Sequence, residues 1–248
     1  MRIGRKLKSL SFRFRRDLSL FTRQMRESIE NPVPLGKMYP ILDDDKKESG
    51  IGDKIYFFQD LYVAQEIFKA QPVRHVDIGS RVDGLIAHVA SFREIEMFDI
   101  RPLSSKIHNV KFTKCDLMGA LSPELLACTD SLSCLHAIEH FGLGRYGDPI
   151  DVNGHLAGFE NLTKMVKTGG TFYFSVPLGP LRVEFNAHRV FSMEYLLNMV
   201  QKRFEVKKFS YISNKGELHA DVPFDGEDAK QNFNCQYGCA IFTLVKRG

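Results

Sequence analysis

The residues whose types and spacing best suit chemistry begin at His75-Val76-Asp77-Ile78-Gly79-Ser80-Arg81-Val82-Asp83-Gly84, where an apolar strand pattern runs straight into a helical one. Glycine in such a turn lets the backbone approach a ligand at a helix N-terminus, where unpaired N–H groups point outward. Twenty residues beyond Gly79, Asp99 closes the next apolar run, Ile95-Glu96-Met97-Phe98. A carboxylate there can accept two hydrogen bonds from a ribose diol, so the pair suits a dinucleotide or any other adenosine cofactor. The glycine pattern decides between them. A pyrophosphate cradle calls for G-x-G-x-x-G, but Arg81 stands at the middle glycine and Asp77 precedes Gly79 by two residues. A carboxylate beside a phosphate cradle repels its ligand, whereas it suits a cofactor with a cationic amino group.

A second stretch, Asp130-Ser131-Leu132-Ser133-Cys134-Leu135-His136-Ala137-Ile138-Glu139-His140, contains the H-x-x-E-H spacing of a class of zinc peptidases. That chemistry needs one helix through both histidines and a third ligand. Here His136 ends a strand pattern, and Phe141-Gly142-Leu143-Gly144 breaks a helix early, so no metal site is expected. No cluster of acids at the strand ends forms an oxygen-rich metal site either. Cys115, Cys128, Cys134, Cys235 and Cys239 include no CxxC pair and read as reduced thiols in a cytoplasm, packed as small apolar fillers.

The elements that must position these residues follow from periodicity. Apolar runs of strand length lie at 74–79, 95–100, 110–115, 129–135 and 171–176, with helical patterns near 59–70, 82–92, 153–167 and 192–202. Strands alternating with helices imply βαβ units and a mostly parallel sheet covered on both faces. Phe204–Ser213 and Cys239–Lys246, either side of the polar loop Asn214–Tyr237, predict a terminal antiparallel pair; the loop shows no helical signal. The expected fold is therefore α/β: a Rossmann-like doubly wound sheet of about seven strands, mostly parallel, with an antiparallel C-terminal strand. Ligands of such sheets bind at the carboxyl ends of the strands, where the strand order reverses.

From Asp77 through Gly84 the chain resembles the first motif of class I S-adenosylmethionine-dependent methyltransferases. Asp99, followed by Ile100, matches the acid that the family places on the ribose hydroxyls. Lys114-Cys115-Asp116-Leu117 matches the acid near the adenine amine at the end of the third strand. The stretch 130–140, with His136, is similar to the fourth motif, and Lys167-Thr168-Gly169-Gly170 through Pro177 to the fifth strand; together the resemblance spans 72–247. It implies S-adenosylmethionine as cofactor, with Asp77, Gly79, Ser80, Gly84, Asp99, Ile100, Asp116, Leu117 and His136 around it. Ser80-Arg81 replace the family's second glycine. Within this group, His136–Pro149 and Val183–Ser192 look like a bacterial family catalogued only as a domain of unknown function, whose members tend to be encoded among surface-polysaccharide genes. That points to O-methylation of a sugar or lipid-linked glycan.

A sugar hydroxyl is a poor nucleophile at neutral pH, so this reading needs a base, and a neutral histidine suits the task. His140 after the fourth strand and His188 after the fifth are the candidates, with His155 a third. Glu139 and His140 can equally hold their loop by bonds to backbone, and His75 reads as structural. The stretches Arg145–Asp151 and Glu184-Phe185-Asn186 either bind sugar hydroxyls, fix the histidines or are ordinary solvated loops. Two alternatives remain open: a nucleotide-sugar oxidoreductase or epimerase using NAD, against which the missing G-x-G-x-x-G counts, and an inactive methyltransferase-like module serving as a partner in polysaccharide assembly.

The 248 residues, 44% hydrophobic and 26% charged, are ordinary globular usage, which excludes collagenous and disordered classes. No run of about 18 apolar residues and no signal-peptide pattern is present, so neither a membrane span nor secretion is expected. The net charge of +4 is unevenly placed: residues 1–30 carry +6 and the remainder −2. That body offers no footprint for nucleic acid. In the arm, Ile3, Leu7, Leu10, Phe14, Leu18, Phe21, Met25 and Ile29 recur at helical spacing among Lys and Arg, ending at Asn31-Pro32. Such a helix lies on an anionic membrane, contacts another copy in a homo-oligomer or packs on its own domain. The expected division is an arm over 1–31, a linker over 32–53 and a methyltransferase-like domain over 54–248, in the cytoplasm or at the inner face of its membrane.

Overall fold

The computed structural model describes residues 2–27, 34–38, 40 and 54–248, with side chains in the first helix from Phe12 onward. The chain divides into two compact units, 1–51 and 52–248. Most of the linker expected over 32–53 lies outside the described residues. In the first unit α1 (Arg2–Glu27) is one continuous helix. Its described apolar side chains include Phe12, Leu20 and Phe21, which are 72%, 43% and 48% exposed.

The second unit is a sheet with helices on both faces. Five parallel strands form its first part: β1 (His75–Ile78), β2 (Ile95–Asp99), β3 (Val110–Lys114), β4 (Thr129–Leu135) and β5 (Val166–Leu178). Then come β8 (Phe204–Ile212), the two-residue β9 (Leu218–His219) and β10 (Gly238–Lys246); β6 (Arg182–Glu184) and β7 (His188–Val190) form a separate hairpin. The strand order is β3-β2-β1-β4-β5-β10-β8-β9, with β10 antiparallel to both neighbours. The eighth strand, β9, adds only a short edge to the seven expected. Order reverses between β1 and β4, where the connections leave toward opposite sides and open a crevice.

Alternation along the strands explains the two layers of core. Phe172 and Phe174 of β5 and Phe242 of β10 face one side, where α4 (Gly154–Met165) and α5 (Met193–Val200) bring Phe159, Leu162 and Leu196. Tyr173 and Ile241, one residue out of phase, face the other, against Val63, Ala64 and Ile67 of α2 (Lys54–Ala70). Central β1 is buried along its whole length, as a strand covered on both faces must be.

Three local expectations are corrected. The helix predicted over 82–92 is a wide turn at Val82–Ile86 followed by the single turn α3 (Ala87–Ala90). Gly84 breaks it with φ −115° and ψ −120°, and it lies so close to the Asp60 carboxylate of α2 that a Cβ would not fit. The loop expected to lack helix contains α6 (Glu227–Lys230). His188, expected in a loop, is the first residue of β7.

Candidate functional site

Asp77 points into the protein interior. It is fully buried, and its carboxylate accepts from the Ser80 N–H at 3.1 Å, the Ser80 hydroxyl at 2.8 Å and the Ser133 hydroxyl at 2.5 Å. Burial pushes its pKa up to about 7 against those hydrogen bonds, with Asp60 adding to the rise. Asp77 and Ser80, both expected on the cofactor, instead lock the turn after β1. Gly84, expected beside them, packs on α2. Gly79 does line the crevice: its φ is +73°, and a Cβ there would meet the Ala137 Cβ at 2.9 Å. The turn thus keeps its glycine for close approach.

Above this turn an open cavity lies at the carboxyl ends of β1 to β4. Asp99, Ile100, Asp116, Leu117, His136 and His140, all expected there, line it. Asp116 accepts from the Met118 N–H at 2.9 Å, and Asn161 of α4 donates to the carbonyls of Leu117 and Gly119, setting the loop after β3. Asp99 is held by Arg101, whose Nη2 reaches Oδ2 at 2.6 Å and whose Nε and backbone N–H reach Oδ1 at 3.0 and 2.7 Å. The guanidinium also lies 4.5 Å from the centre of the Tyr146 ring.

The strand β4 delivers three titratable groups in sequence. His136, held at φ +50°, places Nδ1 3.1 Å from the Glu139 carboxylate, which is 1% exposed. Burial opposes a charge on this ring, yet Cys239 and Glu139 raise it to about 10, while Glu139 is held below the usual carboxylate range despite its own burial. The two form a buried ion pair; His136 Nε2 and Glu139 Oε2 have no hydrogen-bond partner among the described residues. His140 differs. Its Nδ1 lies 2.7 Å from the Ala187 carbonyl, which only accepts, so Nδ1 carries the proton and Nε2 the lone pair. Burial lowers its pKa, leaving a neutral imidazole at pH 7, with Nε2 3.7 Å from Glu139. No three His, Cys, Asp or Glu side chains among the described residues gather as a metal site.

The other candidate bases stand elsewhere. His188 does not line the cavity: on the β6–β7 hairpin its Nε2 is 3.0 Å from Glu184, and its ring packs on Tyr237. His155 on α4 pairs with the Tyr195 hydroxyl at 2.6 Å, and burial lowers its pKa to about 4.

Two structural devices escaped the sequence reading. Asp148 folds the loop 142–148 around its own carboxylate, accepting from the N–H groups of Gly142, Gly144 and Tyr146. Arg189, 4% exposed, donates to the carbonyls of Glu139 and Phe141 at 3.2 and 2.6 Å and reaches those of Asp151 and Val152, stapling both ends of this segment to β7. The clustered glycines before an aspartate were the available signal for the first. Nothing local announced the second, because carbonyl groups carry no sequence signature.

Residues 104–245 match the family described as "Caenorhabditis protein of unknown function, DUF268". The chain belongs to this family. That description replaces the bacterial, polysaccharide-associated family expected from the sequence. No curated protein matches this DUF268 chain in sequence. Among solved structures, the N-methyltransferase NodS from Bradyrhizobium japonicum WM9, in complex with S-adenosylhomocysteine, is 10% identical with TM-score 0.50, over 77% of this chain and 89% of that one. The 1,6-didemethyltoxoflavin-N1-methyltransferase of Burkholderia thailandensis is 15% identical with TM-score 0.51, over 76% and 79%. The [4+2]-cyclase SpnF is 14% identical with TM-score 0.52, over 79% and 85%. At these identities the likeness is one of fold, and it assigns the DUF268 chain the class I methyltransferase fold.

Proposed function

We propose that this DUF268 protein is an S-adenosylmethionine-dependent methyltransferase acting on a hydroxyl of a sugar or lipid-linked glycan. The observation that carries the reading is one cavity holding, at the carboxyl ends of neighbouring strands, two carboxylates suited to a nucleoside and a neutral histidine with a free lone pair. The residues fit the cofactor. Asp99 would accept the ribose diol, Asp116 and Leu117 would flank the adenine, and Gly79 permits close approach. His136 Nε2, buried, unpartnered and lining the same cavity, suits the carboxylate of the amino-acid end in place of the missing second glycine. When bound, the cofactor would supply an electrophilic methyl group on a sulfonium, for transfer to the acceptor oxygen with the thioether sulfur leaving with the bond pair. His140 Nε2 takes the hydroxyl proton, and Glu139, 3.7 Å away, stabilises the resulting imidazolium.

Isothermal titration with S-adenosylmethionine, S-adenosylhomocysteine and NAD tests this. Micromolar binding of the first two alone is the expected result. Binding of NAD alone would favour the nicotinamide chemistry, and binding of none, even with envelope extract added, would leave a non-catalytic module.

The arm supports a location at the inner, cytoplasmic face of a membrane. Phe14, Leu18, Phe21 and Met25 recur at helical spacing along α1, among Arg13, Arg15, Arg16, Arg23 and Arg26, the pattern of a helix that lies in an anionic interface. Among the described residues no helix is long and apolar enough to cross a membrane. Sedimentation with anionic liposomes should bring down the full chain and leave a form lacking residues 1–31 in solution; equal sedimentation of both would reject this.

A further inference from the structure

The loop 142–148 presents Arg145 and Tyr146 on a rigid frame, because Asp148 is fully engaged with three of the loop's own N–H groups. Arg145 therefore gains no carboxylate from its own loop. Its guanidinium donates to the Ala187 carbonyl at 2.9 Å and lies 5.2 Å from the centre of the Tyr146 ring. Arg101 is 4.5 Å from the same ring. Two guanidinium groups thus share one phenol, of which Arg101 and Tyr146 line the cavity and Arg145 lies beside it, and Tyr146 meets His140 edge-on at 5.4 Å.

Arg145 has no ion-pair partner among the described residues, and Arg101 has only Asp99. On the reading of Asp99 as the ribose acceptor, which this inference rests on, the diol competes for the oxygens that Arg101 now holds. Cofactor binding would then leave both cations beside Tyr146 in want of an anion, next to the lone pair of His140. Guanidinium groups bind carboxylate and phosphoryl groups by paired, charge-assisted hydrogen bonds. We infer that the acceptor carries an anionic group, a carboxylate or a phosphoryl ester, docked on Arg101 and Arg145 across Tyr146, with its reacting hydroxyl at His140. A neutral sugar would leave the two cations unpaired.

The test is calorimetric titration of the full chain, loaded with S-adenosylhomocysteine, with glucuronate, glucose 6-phosphate and glucose as probes. At least one of the two anions should bind tenfold or more tighter than glucose, and their relative affinities distinguish carboxylate from phosphoryl recognition. The preference should be weaker without S-adenosylhomocysteine, because Arg101 then stays on Asp99. Arg145→Gln should abolish the preference while still binding S-adenosylhomocysteine, which shows that the variant is folded. Equal binding of glucose and the anions, no binding by either anion, or an unchanged preference in Arg145→Gln would overturn the inference with the cofactor reading intact. Failure of S-adenosylhomocysteine to bind at all would remove both.

Discussion

Arg101 holds both carboxylate oxygens of Asp99, through Nη2 at 2.6 Å and Nε at 3.0 Å, at the point where β2 opens into the cavity. The acid that would recognise a ribose is thereby held in one orientation, since a paired carboxylate costs less to hold in a partly buried site than a lone one. The same pair makes nucleoside binding a competition between a diol and a guanidinium.

Asp99→Ala should weaken S-adenosylhomocysteine binding by about 10- to 100-fold, the span expected for hydrogen bonds to a charged group. Arg101→Met should leave that affinity equal or higher, because it removes the competitor. Calorimetry on both variants checks this, and unchanged affinity in Asp99→Ala would sink the ribose assignment.

His140→Gln should lower turnover by about 10²- to 10⁴-fold with little change in cofactor affinity, as loss of a general base does. The pH profile carries a second check. Burial puts the His140 pKa below the usual histidine value of 6.5, so activity should hold at neutral pH and fall only on acidification below that value, as Nε2 gains a proton. A profile still rising between pH 7 and 9 would exclude His140 as the base.

Asp77 predicts a stability effect of definite sign. Its pKa is 3.8 in the unfolded chain and about 7 when folded, so the folded state binds this proton more tightly. The resulting stability is fully present below pH 3.8 and is lost as pH rises through about 7, amounting to at most about 4 kcal/mol. Asp77→Asn should therefore lose less stability between pH 5 and 8 than the wild type does. Thermal unfolding of both proteins at the two pH values is the measurement, and equal shifts would show that the carboxyl is ionised throughout.

Arg189→Met should cost about 2–4 kcal/mol, because the carbonyls of Glu139 and Phe141 lose their donor. Hydrogen exchange should quicken in 139–152 before the strands of the sheet are affected. Exchange that quickened uniformly would indicate a general packing defect instead of a staple on this segment.

The order of strands and helices was legible in the sequence because periodicity reports which side chains are buried, and burial on both faces makes the second half of β5, 172–178, a mostly apolar run. The antiparallel pair of β8 and β10 was legible for the same reason. The short helix α6 and the broken helix after β1 were not: four residues carry no period, and the close approach of Asp60 from α2 to Gly84 is a contact between residues distant in the chain. Asp99 and Asp116 were readable as cavity residues, since a residue that ends a parallel strand must lie at the ligand-binding edge.

What the sequence determined by itself was the class of sheet, the edge at which its site lies and the residue types gathered there. Which of those residues face the cavity was decided only by the tertiary structure. Asp77 turned inward because Ser80 and Ser133 could satisfy it, and His188 was drawn to Glu184 by pairing of β6 with β7. His140 acquired its free lone pair because a carbonyl 47 residues away claimed the other nitrogen. Such choices depend on partners distant in the chain and brought near by folding, and hydrogen bonds to backbone leave no trace in residue identity.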